Sequence, residues 1–73
     1  PFDFVAANLT ADVIVPLLPL LIVKFDKRLI LSGILREQQD WVVSEIEKIG
    51  NPDFKFHIQT LGEWISISIT NHG

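Results

Sequence analysis

Asp3-Phe4-Val5-Ala6-Ala7-Asn8-Leu9-Thr10-Ala11 is the stretch on which the reading of this chain turns. Between Phe4 and Leu9 only Asn8 is polar, and a run of this kind predicts a strand covered on both faces, with parallel neighbours and crossover helices. Thr10 stands where its hydroxyl would cap a following helix, and Asp12 falls in the first turn, where the helix dipole favours an acid. The strand therefore delivers an asparagine to the start of a helix. Few domains open on an interior strand, so the expectation is a fragment that begins in the middle of an α/β domain and carries one wall of its active site.

Working outward, residues 11–24 predict a helix that is apolar on most sides, kinked or restarted by Pro16 and Pro19. Lys24-Phe25-Asp26-Lys27-Arg28 reads as a charged connection, and Leu29-Ile30-Leu31 as a second strand that breaks at Ser32-Gly33. From Glu37 to Ile49, Trp41, Val42, Glu45, Ile46 and Ile49 recur at helical spacing, and Gly50-Asn51-Pro52 supplies a stop. Phe54, Phe56 and Ile58 then alternate with polar residues, as do Ile65, Ile67 and Ile69 beyond Leu61-Gly62-Glu63, which predicts a hairpin. The order is β-α-β-α-β-β: an α/β fold in which two crossovers build parallel strands and the closing hairpin adds an antiparallel one.

Composition narrows the function classes. A length of 73 residues allows no more than a single small domain, yet 48% of the chain is hydrophobic, more than one small core hides comfortably. A net charge of -3 and six scattered Lys and Arg residues leave no basic footprint for nucleic acid. The apolar run Val13–Val23 contains two prolines and is shorter than the roughly 20 residues that span a bilayer, so neither a membrane span nor a signal peptide is expected. With no Cys, there is no disulfide framework or thiolate nucleophile, which fits a cytoplasmic setting.

Three motifs, taken together, carry a resemblance. Val5-Ala6-Ala7-Asn8-Leu9-Thr10-Ala11, then Leu29-Ile30-Leu31-Ser32-Gly33-Ile34-Leu35 with Gln38 or Gln39 beyond, then Gly62-Glu63-Trp64, resemble the PrmA family of ribosomal-protein methyltransferases in order and near spacing. The resemblance implies the C-terminal half of a Rossmann-like, S-adenosylmethionine-dependent domain that methylates amines of a large-subunit ribosomal protein. It covers essentially the whole chain. Where the family turns into its next strand through a Pro-Gly-Gly type turn, this sequence has Phe25-Asp26-Lys27-Arg28. The family's glycine-rich cofactor loop has no counterpart among Gly33, Gly50, Gly62 and Gly73, so the 73 residues alone are expected to be inactive and to bind the cofactor weakly.

The resemblance places Asn8 at the methyl donor as the catalytic candidate, with Asn8, Leu9, Ser32 and Gly33 as cofactor-binding candidates and no metal. The chemistry suits an amide. An amine attacks a methyl group only as the free base, and a lysine of pKa near 10.4 requires roughly 4–5 kcal/mol to be neutral at pH 7. Asn orients the amine without the carboxylate charge that would hold it protonated. Asn8 also has a plainer reading as a turn residue, and Ser32-Gly33 as a tight turn. His57 is expected on a solvated strand face, and Trp41 and Trp64 in helix–sheet packing. A self-contained binding or assembly module without catalysis is the alternative function. The unpaired edge from Phe4 to Leu9 further predicts self-association.

Overall fold

The computed structural model describes residues 2–49 and 53–71. The chain runs β1 (Phe2–Asn8), α1 (Ala11–Lys24), β2 (Phe25–Leu35), a 3-10 turn (Arg36–Gln38), α2 (Gln39–Ile49), β3 (Phe54–Leu61) and β4 (Trp64–Asn71). The expected stop at Gly50-Asn51-Pro52, and His72, lie outside the described residues.

One four-stranded sheet has the order β1-β2-β4-β3, with β1 parallel to β2 and β4 antiparallel to both β2 and β3. β4 thus inserts between β2 and β3, and β1, β2 and β3 all point the same way. The alternation of Ile65, Ile67 and Ile69 puts all three on one face of this inner strand, where they are buried. Leu29, Leu31 and Ile34 of β2 join them, and α1 covers them with Ala11, Ile14 and Leu18, α2 with Val42 and Ile46. Burying each Ile or Leu contributes about 1.5–3 kcal/mol relative to leaving it exposed. Phe25 and Phe54, whose ring centroids are 5.5 Å apart, close the core across β4 at the end remote from Asn8.

Three local expectations are corrected. β2 is 11 residues long: the charged stretch Asp26–Arg28 is its first part, and it does not break at Ser32-Gly33. Arg28 pairs with Phe4 on one side and Thr70 on the other, so backbone pairing outweighs the charges, which stay exposed on the strand. The helix α1 continues through Pro16 and Pro19 without a restart, both prolines being exposed rather than wedged into the core. The Thr10 side chain makes no cap hydrogen bond; instead its carbonyl oxygen accepts from the Val13 and Ile14 N–H groups at 3.0 and 2.9 Å.

The first strand is the one expected to draw part of its cover from further chain. Only one of its faces is covered: Val5 and Ala7 pack toward the helices, while Phe4 is 56% exposed and Ala6 and Asn8 are exposed as well. Among the described residues, no helix lies over that second face. Among the described residues, no helix is long and apolar enough to cross a membrane.

Candidate functional site

The three sequence motifs converge at the end of the sheet where β1, β2 and β3 terminate. β2 makes this possible through a bulge. Its pairing with β4 is regular as far as Leu31↔Ile67 and resumes at Ile34↔Ile65, so Ser32 and Gly33 together stand against Ser66. The extra residue returns Ile34 to the core face and leaves Gly33 at φ +84°, a conformation that L side chains rarely adopt.

Against this bulge lies the end of β1. Asn8 is the register partner of Ser32, and the Leu9 N–H donates to the Ser32 carbonyl oxygen at 3.1 Å. A Cβ on residue 33 would stand 2.8 Å from Asn8 Oδ1 and 2.9 Å from the Leu9 carbonyl oxygen, so a hydrogen at this position is what admits the asparagine amide. The four candidates Asn8, Leu9, Ser32 and Gly33 therefore form one contiguous group. Asn8 and Leu9 are exposed and Ser32 half-buried, so a ligand has access to them.

The third motif arrives from the hairpin. Leu61 pairs with Trp64 across the two residues Gly62 and Glu63. Gly62 has φ +62° and Glu63 has no positive φ, the pattern of a type II′ turn, whose backbone twist suits the flanking strands. The Arg36 N–H donates to the Glu63 carbonyl oxygen at 2.8 Å, tying the turn to the end of β2. Gln38 is structural: its Oε1 accepts from the Leu35 N–H at 3.2 Å, which secures the start of the 3-10 turn.

Next to Ser32 and Gly33 the open face of the sheet holds a cavity of about 230 Å³, lined also by Gln59, Ser66, Leu61 and Trp64. Trp64 is 51% exposed and Trp41 43%, so neither is the buried packing residue expected from the sequence. The parity of β4 explains Trp64: with Ile65, Ile67 and Ile69 in the core, Trp64, Ser66, Ser68 and Thr70 take the opposite face. That parity is also the signal that would have placed Gln59, Trp64 and Ser66 beside the site. His57 is exposed on the same face, as expected. Among the described residues there is no group of His, Asp and Glu side chains able to hold a metal ion.

Parallel strands β1 and β2 with both helices on one face and a closing antiparallel hairpin define a Rossmann-like α/β unit, and sheets of this kind hold ligands outside the carboxyl ends of their strands, the end at which Asn8, Ser32 and Gly33 meet. The model of the family described as Ribosomal protein L11 methyltransferase (PrmA) matches residues 1–72, and the chain belongs to that family. It is similar to the ribosomal protein L11 methyltransferase of Myxococcus xanthus, 34% identical over 68 residues, which are 93% of this chain and 23% of that protein. The fold is that of the crystal structure of a ribosomal protein L11 methylase from Lactobacillus delbrueckii subsp. bulgaricus. The TM-score is 0.82 at 23% identity, covering 97% of this chain and 37% of the other. The chain thus spans less than two fifths of the length of either protein.

Proposed function

We propose that these 73 residues form the C-terminal part of the catalytic domain of an S-adenosylmethionine-dependent methyltransferase, acting on amines of a large-subunit ribosomal protein in the cytoplasm. The observation that carries this reading is the seating of Asn8 against Gly33 at the strand ends, in a chain whose family is named for ribosomal protein methylation. Bound in the crevice, S-adenosylmethionine supplies an electrophilic methyl group on a sulfonium. Asn8, Leu9, Ser32 and Gly33 fit the methyl-bearing end of that molecule: they offer an amide, a hydroxyl, and main-chain carbonyls that approach closely because residue 33 has no side chain. They offer no cation, and none of the four is a carboxylate.

The work of these residues is to bind and align. The Asn8 amide oxygen and the neighbouring carbonyls accept hydrogen bonds from the acceptor amine, which directs the remaining lone pair along the line of attack. With no fixed negative charge among them, they leave the amine free to lose its proton to water before reacting. Rate enhancement then rests chiefly on proximity and orientation. The glycine-rich grip on the cofactor is assigned to chain outside these residues, so the 73-residue chain alone is inactive and self-associates along β1.

The test uses the full-length gene product with methyl-labelled S-adenosylmethionine and purified ribosomal protein L11. Label transfer that Asn8→Ala lowers at least tenfold supports the reading. A full-length product whose intact mass equals the 8.3 kDa of this chain, or one that transfers no label, overturns it.

A further inference from the structure

The helix α1 is apolar on the side that faces water. Its charged residues are Asp12 in the first turn and Lys24 in the last, and every residue between them is apolar. Ala11, Ile14 and Leu18 take the core side and are buried. Val13, Pro16, Leu20 and Val23, at helical spacing, fall together on the opposite side, and all four are exposed. With Leu20 50% and Val23 70% exposed, this stripe is open surface and not the margin of the core. A helix that is apolar all round is one that something covers.

The place of the stripe bears on what covers it. β1 ends at Asn8 and α1 begins at Ala11, so the first turn of the helix stands at the candidate site and the stripe runs from there toward the far end of the sheet. Leu9, which belongs to the site and is 37% exposed, adjoins it. Strands added beside β1 extend the sheet in its own plane, whereas the stripe points away from the sheet.

We infer that the outer face of α1 is a docking surface for the protein acceptor: it takes the apolar face of an amphipathic segment of that protein while the acceptor amine lies at Asn8. The inference rests on the methyltransferase reading and adds a partner surface outside the strand ends. The two charges give the docked segment a direction. Asp12, at the site end, suits a cation flanking the amine, and Lys24, at the far end, suits an acid.

A second copy of the chain is the competing occupant, and size argues against it. From Val13 to Val23 the stripe is about 15 Å long on a helix about 10 Å wide, a footprint far below the roughly 800 Å² per partner of a stable specific pair. Two copies meeting here alone have too little contact to hold them. An acceptor is held a second time at the site, and a small remote contact then adds to its binding.

The experiment uses the full-length product, with ribosomal protein L11 as the acceptor and the Kd of S-adenosylmethionine measured in parallel. Leu20→Glu and Val23→Glu each put a charge on the stripe at an exposed position, and neither change lowers helix propensity appreciably. Each is expected to raise the acceptor KM about tenfold, the order set by uncovering one apolar side chain, with kcat and the cofactor Kd unchanged within about twofold. Leu20→Met is expected to keep the KM of the unsubstituted protein. An acceptor KM unmoved in both glutamate variants overturns the docking surface and leaves the methyltransferase reading standing. Two further results overturn it in the same way: a fall in the sedimenting mass of the full-length product with KM unmoved, which assigns the stripe to a second copy, and loss of folding in both variants, which assigns it to other parts of the polypeptide. No transfer by the unsubstituted protein overturns both readings.

Discussion

Asn8 and Gly33 are interlocked: the space a Cβ on residue 33 would need lies 2.8 Å from Asn8 Oδ1. The other close atom, the Leu9 carbonyl oxygen at 2.9 Å, belongs to the backbone and does not swing aside. Gly33→Ala is therefore expected to strain φ and to push β1 from β2 at the site, destabilising the protein by roughly 2–4 kcal/mol. Gly62→Ala is the control, since its φ is also positive but nothing lies within 4 Å of the new Cβ, and only about 1–2 kcal/mol is expected. Urea unfolding of both variants gives the comparison. Equal losses would show that the Asn8 contact carries no energy.

Asn8 is expected to act through orientation, and its two substitutions separate orientation from charge. Asn8→Ala removes the amide and should lower kcat about 10²-fold without moving the pH at which the rate levels off. Asn8→Asp brings a carboxylate to the amine and raises the amine pKa by roughly 1–3 units. Since the free base reacts, the levelling-off point must then move up by the same amount, and below it the rate falls about tenfold per unit. A pH–rate profile of each variant checks this, and an Asn8→Asp profile superimposable on the unsubstituted one would sink the proposed role.

The core makes its own prediction. Ile67 is wholly buried on β4, one of the two inner strands, and Ile67→Ala should cost about 2–5 kcal/mol. Leu61, on the same hairpin but 83% exposed, should change stability by no more than about 0.5 kcal/mol as Leu61→Ala. Thermal or denaturant unfolding of the pair would expose an error in the assigned burial.

What the sequence made legible follows from period. Ile65, Ile67 and Ile69 at period two, and Val42 and Ile46 four apart, are long-range signals that burial reinforces, and the elements they mark are where expected. The β2 bulge was missed because Ser32-Gly33 looks the same whether a strand ends there or continues around one extra residue. A trace of it did exist: Leu29, Leu31 and Ile34 break alternation by one, as a bulge requires. Trp64 was misplaced by composition overriding parity, a large aromatic residue being read as core although its position assigns it to the opposite face. The Thr10 cap failed because the residue type permits a hydroxyl bond without compelling it. The insertion of β4 between β2 and β3 depends on which strands meet in space, and alternation within each strand is silent on that.

The edge strand β1 supports the last prediction. Its backbone pairs with β2 on one side only, and β3 is the other edge of the sheet. The two edges differ in protection. β3 carries Lys55 and His57, both exposed along its length, whereas the charge of β1 is Asp3 near its start, and between Phe4 and Leu9 there is no charged residue while Phe4 is 56% exposed. Charge on an edge strand, Lys above all, is what blunts pairing with another chain, so β1 is the edge expected to add a second copy. The 73-residue chain should show a weight-average mass in sedimentation velocity that rises with concentration above 8.3 kDa. Phe4→Lys places a charge on the exposed edge without touching the core, and should hold the chain monomeric over the same range. A monomer at every concentration, or association undiminished by Phe4→Lys, would show that β1 is not the sticking edge.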